Sequence, residues 1–438
     1  MNNLNGSAVI VIGGGLAGSE AAWQLVKRGI PVLLYEMRPQ VSTPVHKTEY
    51  FAELVCSNSL RSDDPSNAVG LLKEEMRRLD SIIMRCADTE RIPAGSALAV
   101  DRDAFAKRVT TELMSHSLLT VNRQEMVDLD PEQYTIIASG PLTSERLAQS
   151  IQKLTGKQYF YFYDASAPIV TADSLDEGQL FWGSRYDKGD RDYLNAGLNQ
   201  EQYEALVGAM LAARVHETKD FEEKTYFEGC MPVEALAARG RDTLRFGPLK
   251  PVGLSNPLTG QRPYAVVQLR RDNHAGTLFN LVGFQTQLAW PEQDRIFRMI
   301  PGLERAEFVR YGVMHKNCFI NSPEILMPTL QMHSSPHLLF AGQLTGVEGY
   351  VESAATGLIA GINMARIYNR QEPLIFPAET AHGALCHYIT SAESRSFQPM
   401  NVAFGLFPAL PHRIRDRRER NRQHAQRALK KIEDYIGY

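Results

Sequence analysis

Short unbroken apolar runs, glycine-rich turns and stretches of helical period alternate along the first part of this chain. Ala8-Val9-Ile10-Val11-Ile12 is apolar throughout, the pattern of a strand buried on both faces. Gly13 to Gly18 follows at once, and Ala17, Ala21, Ala22, Leu25 and Val26 then share one face of a helix. Ile30 to Tyr35 is a second apolar strand, closed by Glu36. Met37 to Asn67, rich in Pro, Ser, Thr and Asn, reads as an irregular loop. Leu71, Leu72, Glu75, Met76, Leu79, Ile82 and Ile83 return at helical spacing. Val100 to Phe105 opens another helix, with Asp101 or Asp103 as its cap. Tyr134 to Pro141 is a strand ending in small residues, which lets backbone come near a ligand.

From about Gln158 to Phe319 the pattern changes. Aromatic strand-like pieces (Tyr159 to Tyr163, Gln179 to Trp182) alternate with helices and Gly/Pro turns, and Phe308 to His315 reads as one strand. His337 to Gln343 is again a buried strand running into a turn. Val351 to Ile367 is a helix carrying Ser353, Ala354, Ala355, Gly357, Ala360 and Gly361, small enough for close packing against the first helix. The pattern predicts an α/β Rossmann-type fold built discontinuously from both parts of the chain. Residues 1–157 and 320–438 form its two parts, and an α+β substrate domain over 158–319 is inserted between them.

The first strand, turn, helix and second strand carry a chemical signal. Gly13, Gly15 and Gly18 fit G-x-G-x-x-G. The first glycine permits a tight turn, the second lets backbone approach a pyrophosphate, and the third lets helix and strand pack closely. The helix N-terminus offers free N–H groups and a positive dipole end to phosphates. Glu36 can accept hydrogen bonds from an adenosine ribose and would repel a 2′-phosphate. The expected cofactor contacts are therefore Ile12, Gly13, Gly14, Gly15, Leu16, Ala17, Gly18 and Glu36. An ordinary glycine-rich turn is the alternative.

Composition narrows the class. With 438 residues, 44% hydrophobic and 22% charged, the chain has the make-up of a globular protein, and its net charge of −3 excludes a generally basic nucleic-acid coat. The five cysteines (Cys56, Cys86, Cys230, Cys318, Cys386) form no C-x-x-C pair. This argues against a disulfide framework or structural zinc and for a reducing cytoplasm. No signal pattern opens the chain, and no apolar run approaches the ~18 residues of a membrane span. The tail, His412 to Tyr438, sets nine cations, Arg417 and Arg418 among them, against four carboxylates. It reads either as a solvated helix face or as a phosphate-contacting surface.

Three stretches add a resemblance. They are Glu53-Leu54-Val55-Cys56-Ser57-Asn58-Ser59-Leu60-Arg61, Phe227-Glu228-Gly229-Cys230-Met231-Pro232-Val233-Glu234 and Ala341-Gly342-Gln343-Leu344-Thr345-Gly346-Val347-Glu348-Gly349-Tyr350-Val351-Glu352-Ser353. Together with the first βαβ unit and the strand ending at Gly140, they resemble the folate- and FAD-dependent tRNA (uracil-5-)-methyltransferase family, almost end to end. The resemblance implies a glutathione-reductase-type FAD-binding fold. It also implies methyl transfer from methylenetetrahydrofolate to C5 of a T-loop uridine in tRNA, with NADH or NADPH as reductant. Flavoproteins of that fold commonly end the last strand Gly-Asp to hold the ribityl chain. Here it is Gly342-Gln343, so that contact becomes an amide or a backbone N–H. Arg102, Gly140, Glu348, Gly349 and Tyr350 join the cofactor set by the same resemblance.

The chemistry implied needs thiols. Uracil C5 becomes nucleophilic when a thiolate adds at C6, which calls for a cysteine in an electropositive, accessible setting. Cys230, between Gly229 and Met231-Pro232, suits that role, and Cys56 suits general-base removal of the C5 proton or care of a reactive flavin species. Which thiol attacks and which handles the proton is open at this stage, and a cysteine without such context is usually an inert small hydrophobe. Cys86, Cys318 and Cys386 lack the context and read as structural. The family stacks the pterin on a histidine, here His315. Arg239, Arg241, Arg245, Arg270 and Arg271, with the tail, are candidate RNA contacts. No metal is expected. The same chemistry on ribosomal RNA, a small-molecule FAD/NAD(P)H oxidoreductase and an RNA-binding flavoprotein scaffold are the competing readings.

Overall fold

The computed structural model describes residues 8–43, 45–156, 160–187, 191–216, 231–257 and 259–435; for 160–164, 187, 315 and 316 it describes the backbone only. Two six-stranded sheets dominate it. The first runs in the order Gln331–Met332, Ser335–Phe340, Thr135–Ile137, Val9–Ile12, Val32–Tyr35, Leu119–Asn122. All its pairs are parallel except the edge pair Gln331–Met332 with Ser335–Phe340. Val9, Val11, Ile136 and Leu339 are fully buried, as expected of a parallel sheet covered on both faces. A strand from the C-terminal part therefore sits beside Thr135–Ile137, and both parts of the chain build one Rossmann-type layer.

The glycine-rich helix Leu16–Val26 is more deeply buried than its sequence suggests. The alternation predicts one apolar face, yet only Trp23 of its residues escapes full burial. The helix is sandwiched between the sheet and Tyr350–Tyr368, the small-residue helix, which extends one residue beyond the expected span at each end. The two helices touch backbone to side-chain stub. A Cβ on Gly357 would lie 2.2 Å from the Ala17 carbonyl oxygen, and one on Gly361 would lie 2.7 Å from that of Ala21. Polar residues on the buried faces are satisfied. The Glu20 carboxyl, raised above its usual range by burial, accepts from Ser81 Oγ (2.5 Å), Ile83 N–H (3.1 Å) and Gln24 Nε2 (2.8 Å).

The second sheet is antiparallel, in the order Leu180–Gly183, Tyr193–Leu198, Ala265–Arg271, Leu278–Leu281, Ile169–Thr171, Phe308–Arg310. Alternation along Ala265–Arg271 sends Val267 and Leu269 into a core with Leu206 and Met210 of the helix Gln200–Leu211, and sends Gln268 and Arg270 to the opposite face.

Three local expectations change. The loop Met37 to Asn67 contains a short strand, Ser59–Ser62, paired with Ala97–Val100; only Leu60 of it is apolar and fully buried, so alternation could not reveal it. The helical spacing from Leu71 to Ile83 divides into Ala68–Arg78 and Ile82–Thr89, because Asp80 takes a positive φ and Ser81 caps the second helix through Met84 N–H. Phe308 to His315 breaks into Phe308–Arg310 and Met314–Phe319, since Gly312 is pressed between Ser166, Thr286 and Gln293. Asp101 caps the helix Arg102–Met114, as one of the two alternatives foresaw. No helix of the described residues is long and apolar enough to cross a membrane.

The helix contact yields a paired test. Gly357→Ala should cost about 1–3 kcal/mol through overpacking and weaken the site that the two helices build. Gly208→Ala, at a helical position with open space around its added carbon, should instead stabilise by about 0.5–1 kcal/mol. Chemical denaturation of both variants checks the pair. Equal stabilities would show that the helices can separate without cost.

Candidate active site

Each motif glycine has a distinct role. Gly13 takes φ +102°, and a Cβ there would meet the Ala138 carbonyl at 2.5 Å. A Cβ on Gly18 would come within 1.8 Å of the Gly13 carbonyl. Around Gly15, by contrast, nothing stands within 4 Å of an added carbon. No side chain caps the helix behind it and its first turn holds no acid, so its N–H groups and positive dipole end are open to an anion. That opening fits the pyrophosphate of a dinucleotide.

Glu36, at the end of the second strand, is 5% exposed. It accepts from Gly14 N–H (2.8 Å), Arg38 N–H (3.0 Å) and Arg38 Nε (2.9 Å). Burial alone would raise this carboxyl, but the Arg38 guanidinium and the two N–H groups overcome it and hold the group below the usual carboxylate range. Arg38 also reaches Glu53 (3.2 Å), whose carboxylate accepts from Lys47 N–H and from both Thr48 N–H and Oγ1. His46 stands beside this cluster, its pKa pushed down to about 4 by burial and by Arg38, so its ring is neutral. Sequence reading missed Arg38 and His46, whose only signal was their nearness to Glu36.

Opposite the glycine turn, the chain leaves Ser335–Phe340 through Gly342 (φ +80°), whose N–H donates to Thr356 Oγ1 at 2.8 Å. Gln343 hydrogen-bonds Glu348 through its amide Nε2. A carboxylate thus stands behind the amide where related folds place an aspartate. Gly349, at φ +109°, leads into Tyr350. Between these two walls lies a cleft of about 350 Å³, within the usual range of ligand sites. It brings together Ile12, Gly13, Gly15, Leu16, Ala17 and Glu36 from one side. Gly140, Gly342, Gln343, Glu348, Gly349 and Tyr350 come from the other. Three expected cofactor residues stand behind it. Gly14 binds Glu36, Gly18 packs under the turn, and Arg102 is buried against Leu54 and Asp272.

Cys56 lines the same cleft, half-buried. The Tyr350 hydroxyl oxygen accepts the N–H groups of Cys56 (2.6 Å) and Ser57 (3.3 Å). Burial, and then the nearness of Cys56, raise the Tyr350 hydroxyl well above its ordinary value, so it stays a phenol. Arg61, at φ +62°, also faces the cleft and pairs with buried Glu352. Cys86, Cys318 and Cys386 are buried and burial raises their thiols, Cys318 to about 11 and Cys386 to about 12.

Cys230 lies outside the described residues, and so does the side chain of His315, whose backbone pairs with Asp164. The described chain on either side of Cys230 is anchored near the cleft. Val233 N–H donates to the carbonyl of Gln285, a cleft residue, and His216 N–H donates to that of Gln287. The candidate RNA residues separate. Arg239, Arg241, Arg417 and Arg418 are exposed, and Arg241 pairs with Glu204. Arg245 lies over Tyr264 at 4.0 Å and beside Phe246, which is 74% exposed. Arg271 stacks on Trp182. Arg270 departs from the surface role expected of it: it is 6% exposed and bonds to Ser57 and Asn58, next to Cys56. Among the described residues no group of three or more His, Cys, Asp or Glu is placed to hold a metal ion.

Comparison with known proteins agrees with this geometry. A family model described as glucose inhibited division protein A (GIDA) matches residues 8–372. The structure of Aquifex aeolicus GidA in its form I crystal superposes with a TM-score of 0.70 at 17% identity, covering 98% of this chain and 75% of that one. That likeness shows the fold. A methylenetetrahydrofolate–tRNA-(uracil-5-)-methyltransferase TrmFO of Desulforudis audaxviator is 61% identical over 98% of both chains. The protein of that name from Listeria monocytogenes is 59% identical over 97% of this chain and 98% of its own. At such identity over nearly its whole length, the chain belongs to the TrmFO family.

Proposed function

We propose that this chain methylates C5 of a T-loop uridine in tRNA, with methylenetetrahydrofolate as one-carbon donor, FAD in the cleft and NADH or NADPH as reductant. The observation that carries this reading is the place of Cys56, a reduced thiol on the wall of the cleft that the glycine-rich turn and Glu36 open. A small-molecule oxidoreductase of this fold needs no such thiol. In this reading residues 1–157 and 320–438 hold the cofactor, residues 158–319 bring the RNA to it, and the work is done in the cytoplasm.

The chain's own groups divide the task. The helix N-terminus behind Gly15 holds the pyrophosphate, Glu36 takes the ribose, and Gln343 with Glu348 holds the polyol chain. When bound, the flavin supplies the electrons that bring the transferred carbon to the methyl level. The Cys230 sulfur forms a bond to uracil C6 and sends electron density to C5. After C5 has taken up the one-carbon unit, Cys56 accepts the C5 proton, and the sulfur–C6 bond breaks to restore the ring. His315 stacks on the pterin. Arg239, Arg241 and Arg245, with Arg271 and the tail arginines, neutralise phosphates. Phe246 offers an exposed ring to an unpaired base.

Purified protein given unmodified tRNA, methylenetetrahydrofolate and NADH should form 5-methyluridine, read by nucleoside mass spectrometry. Cys230→Ala should abolish the product and leave the yellow cofactor bound. Product on ribosomal-RNA fragments alone would move the substrate to that RNA. Flavin reduction without methylated RNA would favour an oxidoreductase or a scaffold.

RNA affinity should fall with salt. Replacing Arg245, Arg417 and Arg418 by Ala should flatten the log–log salt slope by about one for each phosphate no longer neutralised. Filter binding at several salt concentrations measures it. An unchanged slope would place the RNA on another face.

A further inference from the structure

Arg270 stands out among the buried groups because it is a cation bonded to neutral partners. It lies on the face of Ala265–Arg271 turned away from the insert core, and among the described residues it forms no ion pair. Its Nε donates to Asn58 Oδ1 at 2.9 Å and its Nη2 to Ser57 Oγ at 2.8 Å. Asn58, fully buried, returns its amide N–H groups to the carbonyls of Val100 (3.0 Å) and Arg271 (2.9 Å). Tyr350 holds the Cys56 and Ser57 N–H groups from the other side. The segment Cys56-Ser57-Asn58 is thus gripped by three separate elements.

A buried guanidinium without a carboxylate is costly, and a lysine could not make the same two-pronged contact. The charges around Cys56 explain what such a group can do. Arg102 acts electrostatically on Cys56, but Asp272 takes its charge through two bonds, at 2.9 and 3.2 Å. Arg310 also acts on Cys56. It donates to the Val45 carbonyl at 3.0 Å and forms no ion pair among the described residues. Glu53 is bonded by Arg38 and also acts on Arg310, and Tyr350 remains neutral. Arg310 therefore acts on Cys56 with no carboxylate bonded to it among the described residues. Arg270, which Asp272 also influences, brings a second guanidinium to Ser57, the next residue along the chain. Such a setting favours a thiolate.

We propose that Arg270 is the positioning residue of Cys56: it bolts the Cys56 segment to the insert sheet and, with Arg310, brings positive charge near the thiol. The proposal rests on the reading that Cys56 works in the cleft, and its test does not use methyl transfer. In the flavin-loaded protein, Cys56 alkylation by iodoacetamide is followed across pH by peptide mass spectrometry. Arg270→Gln should slow it about tenfold at pH 7 and move its midpoint up by about one unit. Arg270→Lys should keep the midpoint near that of the parent. Ser57→Ala, which removes one of the two bonds, should shift the rate in the same direction as Arg270→Gln but less. A Cys56 profile unchanged in folded Arg270→Gln overturns the proposal. Where that variant does not fold, a Cys56 profile unchanged in Ser57→Ala overturns it. Methyl transfer by the parent is scored separately: its failure would remove the function proposed above and leave the thiol comparison valid.

Discussion

The contact of Gly357 with the Ala17 carbonyl is the constraint from which the rest of the site follows. Two helices more than three hundred residues apart in sequence meet with no side chain between them at that point. Only this closeness lets the turn before Leu16–Val26 and the turn before Tyr350–Tyr368 face each other across one cleft. A methyl group at Gly357 or Gly361 would push the glycine-rich helix from the sheet or open the far wall. The same contact explains why Leu16–Val26 is buried all round, and why its two long polar residues, Glu20 and Gln24, are bonded to each other.

What could be read from sequence was what is local. The βαβ unit, the glycine roles, the Asp101 cap and the small-residue helix each rest on spacing within about 30 residues, the length of one such unit. The cleft's two walls were legible because each is a contiguous stretch. Partners from distant stretches were not. Nothing in the spacing of Arg38 joins it to Glu53 as well as Glu36. Nothing near Arg270 indicates Asn58, more than two hundred residues earlier. Arg270 read as a surface cation because it lies in a strand with an exposed-looking Arg-Arg-Asp end. The sheet has two buried faces, and the second is covered by the loop that carries Cys56. The strand Ser59–Ser62 was hidden for a related reason: its pairing depends on a partner strand, not on its own pattern.

The two ends of the cleft differ in polarity, and the difference bears on mechanism. At the Glu36 end one guanidinium, Arg38, is shared by two carboxylates, Glu36 and Glu53, and the neighbouring His46 is neutral. Arg123 also acts on Glu36 and Arg310 on Glu53, and the two carboxylates suit that end to hydroxyl donors. At the Cys56 end Arg102 and Arg61 each have a carboxylate of their own, while Arg270 and Arg310 have none among the described residues. That end is suited to an anion, whether a thiolate or the developing charge on an activated base.

Such a polarity is costly in isolation, since each buried unpaired guanidinium opposes folding. Arg270 spreads its cost over two hydrogen bonds to neutral oxygens, and those bonds are also what hold the Cys56 segment in place. Fixing the backbone and supplying the charge are then one arrangement. A substitution that preserves the charge but loses the fork separates the two effects, because the field falls slowly with distance while hydrogen-bond geometry fails within a fraction of an ångström.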